Sequence, residues 1–372
     1  MNAVADAPTL TAAAEAGTED TAIALDIAAA LTDTDGSEAL ASITIAGVPD
    51  GASLSAGILN GDGSWTLTPA QLSGLSLTPA VDSDADFTLT VTATSVEDAN
   101  GDTASTTVSV PVSVAAVADA PTLTATAEAG TEDTAIALDI ASALTDTDNS
   151  EALASVTISG VPDGASLSAG TLNADGSWTL TPAQLSGLSL TPAANSDADF
   201  TLTVTATSVE DDNGDTASTT VSVPVSVEAV ADAPTLTASA APGTEDTAIA
   251  LDIASALTDT DTSEGLTLTL TGIPDGAVLS AGTLNPDGSW SLTADQIAGL
   301  TLTPPQNFSG SIAVEVTATA TEAANGDAAS VVQTVTVEVS PIADAPDLSV
   351  SDITVAESAG HDAQALSLIH IS

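Results

Sequence analysis

Apolar and small polar residues alternate with a period of two along much of the chain. Phe87-Thr-Leu-Thr-Val-Thr-Ala-Thr94 and Thr103-Ala-Ser-Thr-Thr-Val-Ser-Val-Pro-Val-Ser-Val114 place Leu, Val and Ala on one face and Thr and Ser on the other. Half-buried β-strands have this pattern. Leu59-Asn60-Gly61-Asp62-Gly63-Ser64-Trp65 predicts a hairpin turn, with Asn, Asp and Gly supplying the unusual backbone angles. Thr9–Ala16 and Ala22–Leu31 read as the first two strands. The second has some helical propensity, but turn signals on both sides favour a strand. Pro69-Ala70-Gln71-Leu72 reads as a single helical turn.

The pattern repeats. Ala-Asp-Ala-Pro recurs with its aspartates at Asp6, Asp119, Asp232 and Asp344, spaced by 113, 113 and 112 residues. Trp65, Trp178 and Trp290 keep nearly the same beat. The first two copies are almost identical; the third has drifted, with Asn307-Phe308-Ser309-Gly310 in place of an Asp-rich turn. The expected domains are 1–118, 119–231 and 232–343, followed by the opening of a fourth repeat over 344–365. Short strands punctuated by turns, in a unit of this size, predict an all-β fold of tandem antiparallel β-sandwich domains in an extended array. One tryptophan per repeat on an alternating strand reads as a core residue before it reads as a sugar-stacking platform.

Leu366-Ser-Leu-Ile-His-Ile-Ser372 breaks the repeat and resembles the translation of a transposon end used in preparing sequencing libraries. The natural chain is expected to continue differently after about Ala365, so His370 carries no functional weight. No segment approaches 18 consecutive apolar residues, and the first residues lack the basic region and apolar stretch of a signal peptide.

Composition changes the picture through charge. The 372 residues include 52 Asp and Glu, no Lys or Arg, 2 His and no Cys, a formal net charge of −52. Hydrophobic residues make up 43 %, enough to build cores, but aromatics only 2 %, so those cores are aliphatic. Such a charge repels nucleic acid and anionic membranes. The missing cysteines exclude disulfides, zinc–thiolate sites and thiol nucleophiles. Each carboxylate is left to water, to backbone N–H groups or to a cation from solution.

The drifted repeat sorts the acids. Asp84 and Asp86 become Ser309 and Ser311, and Asp98 becomes Ala323, as expected of solvated turn positions. Three groups persist: Glu19-Asp20, as Glu132-Asp133 and Glu245-Asp246; Asp33-x-Asp35, as Asp146-x-Asp148 and Asp259-x-Asp261; and Glu97-x-x-Asn100-Gly-Asp102, as Glu210, Asn213 and Asp215 and as Glu322, Asn325 and Asp327.

With seven antiparallel strands, the loop holding Glu19-Asp20 lies where the chain leaves the sandwich, and the other two groups lie where it arrives. One junction would gather Glu19, Asp20 and Asp119 with Asp146, Asp148, Glu210, Asn213 and Asp215. The next would gather Glu132, Asp133 and Asp232 with Asp259, Asp261, Glu322, Asn325 and Asp327. Oxygen ligands converging without a cationic side chain favour Ca²⁺ over Mg²⁺, which keeps its waters and demands an octahedron. The competing reading is that these are ordinary turn and capping residues. Asp33-Thr-Asp35-Gly36-Ser-Glu38 is too short for an EF-hand loop, and no glycine-rich nonapeptide run is present.

A repeat opening with Ala-Asp-Ala-Pro, then Glu-Asp-Thr, Leu-Thr-Asp-Thr-Asp and Asn-Gly-Asp, resembles the cadherin-like, Ig-like tandem repeats of giant bacterial adhesins exported by type I secretion. Its acidic placement is also similar to animal cadherins, where calcium ions rigidify domain junctions. The resemblance implies a Ca²⁺-stiffened extender, or stalk, of a bacterial cell-surface adhesin: extracellular, non-catalytic, with calcium ions and neighbouring repeats as its partners. The linker Val117-Ala118-Asp119-Ala120-Pro121 is less acidic than a cadherin linker, which implies fewer ions per junction. The alternative is a carbohydrate- or protein-binding module, against which stands the scarcity of aromatic and Arg anchors. Catalysis is disfavoured: no Lys, Arg, Cys or Tyr is available, and neither His361 nor His370 lies in a complete repeat.

Overall fold

In the computed structural model, which describes residues 3–146, 148–259 and 261–345, the long strands come from the alternating stretches. The fourth-repeat opening beyond Ala345 and the 366–372 tail lie outside the described residues. The chain divides into two units, Met1–Glu228 and Ala229–Ser372.

The first unit begins with strands β1 (Thr9–Ala14), β2 (Gly17–Thr18), β3 (Ile23–Ala30), β4 (Glu38–Ala46), β5 (Ser53–Leu54), β6 (Ile58–Leu59), β7 (Trp65–Leu67), β8 (Ser76–Thr78), β9 (Phe87–Glu97), β10 (Thr103–Val112) and β11 (Val114–Ala115). They form one antiparallel sheet in the order β1-β3-β8-β5 and another in the order β10-β9-β4-β7-β6. The ambiguous Ala22–Leu31 segment is strand β3, and Pro69–Gln71 forms a 3₁₀ turn. The hairpin joins β6 to β7, with Leu59 opposite Trp65.

The sheets close over Ile43, Ile45, Leu67, Leu77, Leu89, Val91 and Ala93, all almost fully buried. Trp65 and Phe87 are partly buried and pack against that core. Burying branched aliphatic faces is the main drive for this fold.

The sandwich has more strands than the seven expected. The additions between β4 and β9 are an even number of short strands, so the direction of travel is unchanged. The β3–β4 and β9–β10 loops therefore share one end, as β4 pairing antiparallel with β9 requires. The chain leaves by β11, which pairs in parallel with β2. Residues Thr122–Glu228 repeat this arrangement, with sheets of the same order around a second aliphatic core.

The second unit builds a third sandwich, and its drift has structural consequences. In the first two copies, strand Glu38–Ala46 or Glu151–Ser159 carries a register shift, after Leu40 or Leu153. The corresponding Glu264–Thr271 has eight residues instead of nine and no shift. The residue missing from the third repeat is thus the β-bulge. Where Pro111 and Pro224 withhold an N–H late in the last strand, the third copy has Thr336. There Ala328–Ser340 runs unbroken and pairs directly with Gly243–Thr244.

Candidate functional site

Acidic side chains from both sandwiches of the first unit meet around the segment Ala116–Pro121 that joins them. This segment is held from both sides. From the preceding sandwich, the Glu19 carboxylate accepts the Val117 N–H at 2.6 Å. From the following one, the Asn213 amide donates to the Ala116 carbonyl at 2.7 Å, and Asp215 accepts the Ala118 N–H at 3.3 Å. Glu151 accepts the Asp119 N–H at 2.5 Å, Ser208 donates to the Asp119 carbonyl at 2.6 Å, and Thr219 donates to the Pro121 carbonyl at 2.6 Å.

Some of the recurrent acids have local tasks. Asp20 adopts a left-handed conformation, φ 55°, and accepts the N–H of Asp82, itself at φ 55°. The pairs Asp133 and Asn195, and Asp246 and Asn307, make the same bond. Asp146 accepts the Asp148 N–H at 3.0 Å, and Asp148 accepts the Ser150 N–H at 2.8 Å. Asp259 and Asp261 do the same for Asp261 and Ser263. These are the bonds of Asx turns. Asn213 and Asp215 spend polar atoms on the linker, as Asn325 and Asp327 do on Ala229 and Ala231.

The remaining oxygens collect into groups. Oxygens of Asp20, Asp82 and Asp119 lie within 4.8 Å of one another, as do those of Asp146, Glu151 and Glu210. In the second unit, Asp259, Glu264 and Glu322 form the counterpart of the latter group. Glu132 and Asp133, in the first unit, follow the Gly130–Thr131 strand as Glu19 and Asp20 follow β2; Glu132 is buried and its N–H donates to the Glu228 carbonyl at 3.1 Å. Asp232, in the second unit, gives its N–H to Glu264 at 2.7 Å.

The electrostatics show the strain of assembling these groups. Glu210, 2 % exposed, is pushed up to about 7, by burial first and then by the charges of Glu151 and Glu19. Burial also raises Glu19, with Asp84, Asp148 and Asp20 adding repulsion. Asp119 is raised by burial and by Asp82, Asp20 and Asp146. In contrast, Asp62 of the hairpin is held below the ordinary range by hydrogen bonds from Ser64.

Two features escaped the sequence reading. Asp84, expected to be a solvated turn residue, is half-buried, and its carboxyl is raised by burial and by the charges of Asp148 and Asp212. Its replacement in the third repeat concealed this. The glutamates Glu38, Glu151 and Glu264 were not singled out either. They begin the central strand of each larger sheet and sit opposite Glu97, Glu210 and Glu322. Their signal was present: Asp-x-Asp-x-x-Glu survives in all three copies.

No protein-family model matches the chain, and no curated protein matches it. Among solved structures, it is similar to Drosophila N-cadherin EC1-4, at 17 % identity over 88 % of this chain and 72 % of that one, TM-score 0.29. It is also similar to the Escherichia coli adhesin FdeC, at 17 % identity over 91 % and 99 %, TM-score 0.27. Sidekick-1 immunoglobulin domains 1-5 match at 11 % identity over 91 % of this chain and 60 % of that one, TM-score 0.26. At such scores these likenesses add nothing to the residue-level chemistry.

Proposed function

We propose that the chain is a calcium-stiffened extender of a bacterial cell-surface adhesin, built from the repeats 1–118, 119–231 and 232–343 and working outside the cell. The carrying observation is the convergence of Asp20, Asp82 and Asp119 within 4.8 Å, in a chain with no Lys or Arg. Glu19, Asp84 and Glu210 are raised by burial and by neighbouring carboxylates, Asp148 acting on Glu19 and Asp84, and Asp146 acting on Asp84 and Glu210. A hard cation with flexible, all-oxygen coordination is the simplest answer to such crowding. At the first junction, Glu19, Asp20, Asp119, Asp146, Asp148 and Glu210 would hold Ca²⁺, while Asn213 and Asp215 fasten the linker. The repeated positions Glu132 and Asp133 in the first unit, and Asp232, Asp259, Asp261, Glu322, Asn325 and Asp327 in the second, would take the same roles in their own repeats.

Without the ion, carboxylate repulsion loosens each junction. With extracellular, roughly millimolar Ca²⁺, in the affinity range of extracellular modules, each one locks. Binding of sugars by stacking gains no support, because all six aromatic side chains pack against the cores. Small-angle scattering of the full chain at fixed ionic strength tests the reading. Calcium should narrow the distribution of end-to-end distances relative to chelator; identical profiles would refute the stiffening.

A further inference from the structure

The Glu151–Glu210 pair has chemistry that the junction does not explain. Both belong to the same sandwich, directly opposite each other on adjacent antiparallel strands. Glu151 is 6 % exposed and Glu210 2 % exposed. Glu151 Oε1 accepts the Asp119 N–H, yet the Oε2 atoms of Glu151 and Glu210 are buried with no hydrogen-bond partner. Buried carboxylate oxygens without donors are costly, and like charges directly opposite in a sheet repel. The chain has no Lys or Arg to offset them.

We infer that each sandwich carries a divalent-cation site of its own, formed by the paired strand glutamates and the first aspartate of the Asp-x-Asp turn, and complete without the neighbouring repeat. The second copy is Asp146, Glu151 and Glu210, and the third is Asp259, Glu264 and Glu322. In the first copy, Glu38 and Glu97 pair in the same register, with buried and unpartnered Oε2 atoms, and Asp33 and Asp35 add to the charge at Glu97. Oxygens around Ca²⁺ at 2.3–2.6 Å lie at most about 5 Å apart. In the second and third copies the three oxygens lie within 4.8 Å of one another, which fits one shared ion. Glu38, Glu151 and Glu264 would thereby link ion to chain path, since each also holds the N–H of the linker aspartate, Asp6, Asp119 or Asp232.

This site shares Asp146 and Glu210 with the proposed junction set but needs no residue of a neighbouring repeat, and one experiment separates the two. Calcium is titrated calorimetrically into the full chain, into Glu264→Gln and into Asp119→Asn, with MgCl₂ as control. Glutamine keeps the acceptor for the Asp232 N–H and removes one charge. The expected result is loss of about one bound Ca²⁺ per chain in Glu264→Gln, with the ions lost in Asp119→Asn being different ones, so that the double variant loses both. In chelator, Glu264→Gln should melt no lower than the parent, because a buried like-charge pair has been relieved. Unchanged stoichiometry in Glu264→Gln would overturn the proposal. So would loss of β-sheet circular dichroism by that variant in chelator, since it would make the glutamate a purely structural group. Glu322→Gln, on the facing strand, must give the same answer.

Discussion

Glu151 faces Glu210 across adjacent antiparallel strands, and both carboxyl groups are buried. The same pairing joins Glu38 to Glu97 and Glu264 to Glu322. Along the rest of these ladders the facing residues are mainly Thr, Ser, Val and Ala, which pair without penalty. A repulsive pair kept at one position of every sandwich is what the proposed cation site would neutralise.

Removing one charge should therefore have opposite effects in two buffers. Glu210→Gln is expected to raise the melting temperature in EDTA, by a few degrees, and to diminish the rise caused by CaCl₂. Thermal unfolding followed by circular dichroism in both buffers measures this. A drop in EDTA would count against the account.

The pH dependence follows from the direction of the shifts. Glu210 sits at about 7 in the folded chain against an ordinary 4.5, and Glu19, Asp84, Asp119 and Glu151 are shifted the same way. The folded state holds these protons more tightly; the contribution of Glu210 is fully present below about 4.5 and is lost as pH rises to about 7, and the other groups act in the same direction. Calcium-free protein should melt higher at pH 5 than at pH 8. Saturating Ca²⁺ should reverse the order, because carboxylate ligands must be deprotonated. Melting curves at both pH values, with and without chelator, check both signs.

Asn213 fixes the linker through its bond to the Ala116 carbonyl and accepts the Asp215 N–H at 2.7 Å. Asn213→Ala should cost on the order of 1–2 kcal/mol by leaving both groups unmet. It should leave the number of bound calcium ions unchanged. Denaturant unfolding and calorimetric titration of the same variant separate the two effects.

A backbone position offers a control unrelated to charge. Gly160 has φ +83°, and a Cβ there would stand 2.5 Å from the Thr201 carbonyl oxygen. Gly160→Ala should destabilise by more than about 1 kcal/mol, with or without calcium. Gly61→Ala, facing open space, should be close to neutral. Parallel thermal melts test the contrast.

Much of the fold was legible because a period of two and glycine-marked turns leave few alternatives to a sandwich. Even the ambiguous Ala22–Leu31 segment followed its flanking turns into β3. The two ends of each sandwich were also legible, since strand parity survives added pairs of short strands. The pairing of Glu38 with Glu97 was not, because nothing in the alternation says that β4 lies beside β9. Asp84 was misplaced for a different reason. Loss of an acid in the drifted copy removes a charge without revealing that, in the first copy, the residue lies near Asp148 and Asp212.

The central claim is that a specific cation neutralises these carboxylates, and thermal unfolding of the full chain at fixed ionic strength tests it most directly. With CaCl₂ in large excess over its dissociation constant, each site should add about 2.7 kcal/mol at a hundredfold excess, a rise on the order of 10 °C over EDTA. MgCl₂ should give much less. Equal melting temperatures in calcium and EDTA, or a rise that MgCl₂ and NaCl reproduce, would contradict the account and return the acidic loops to solvated turns.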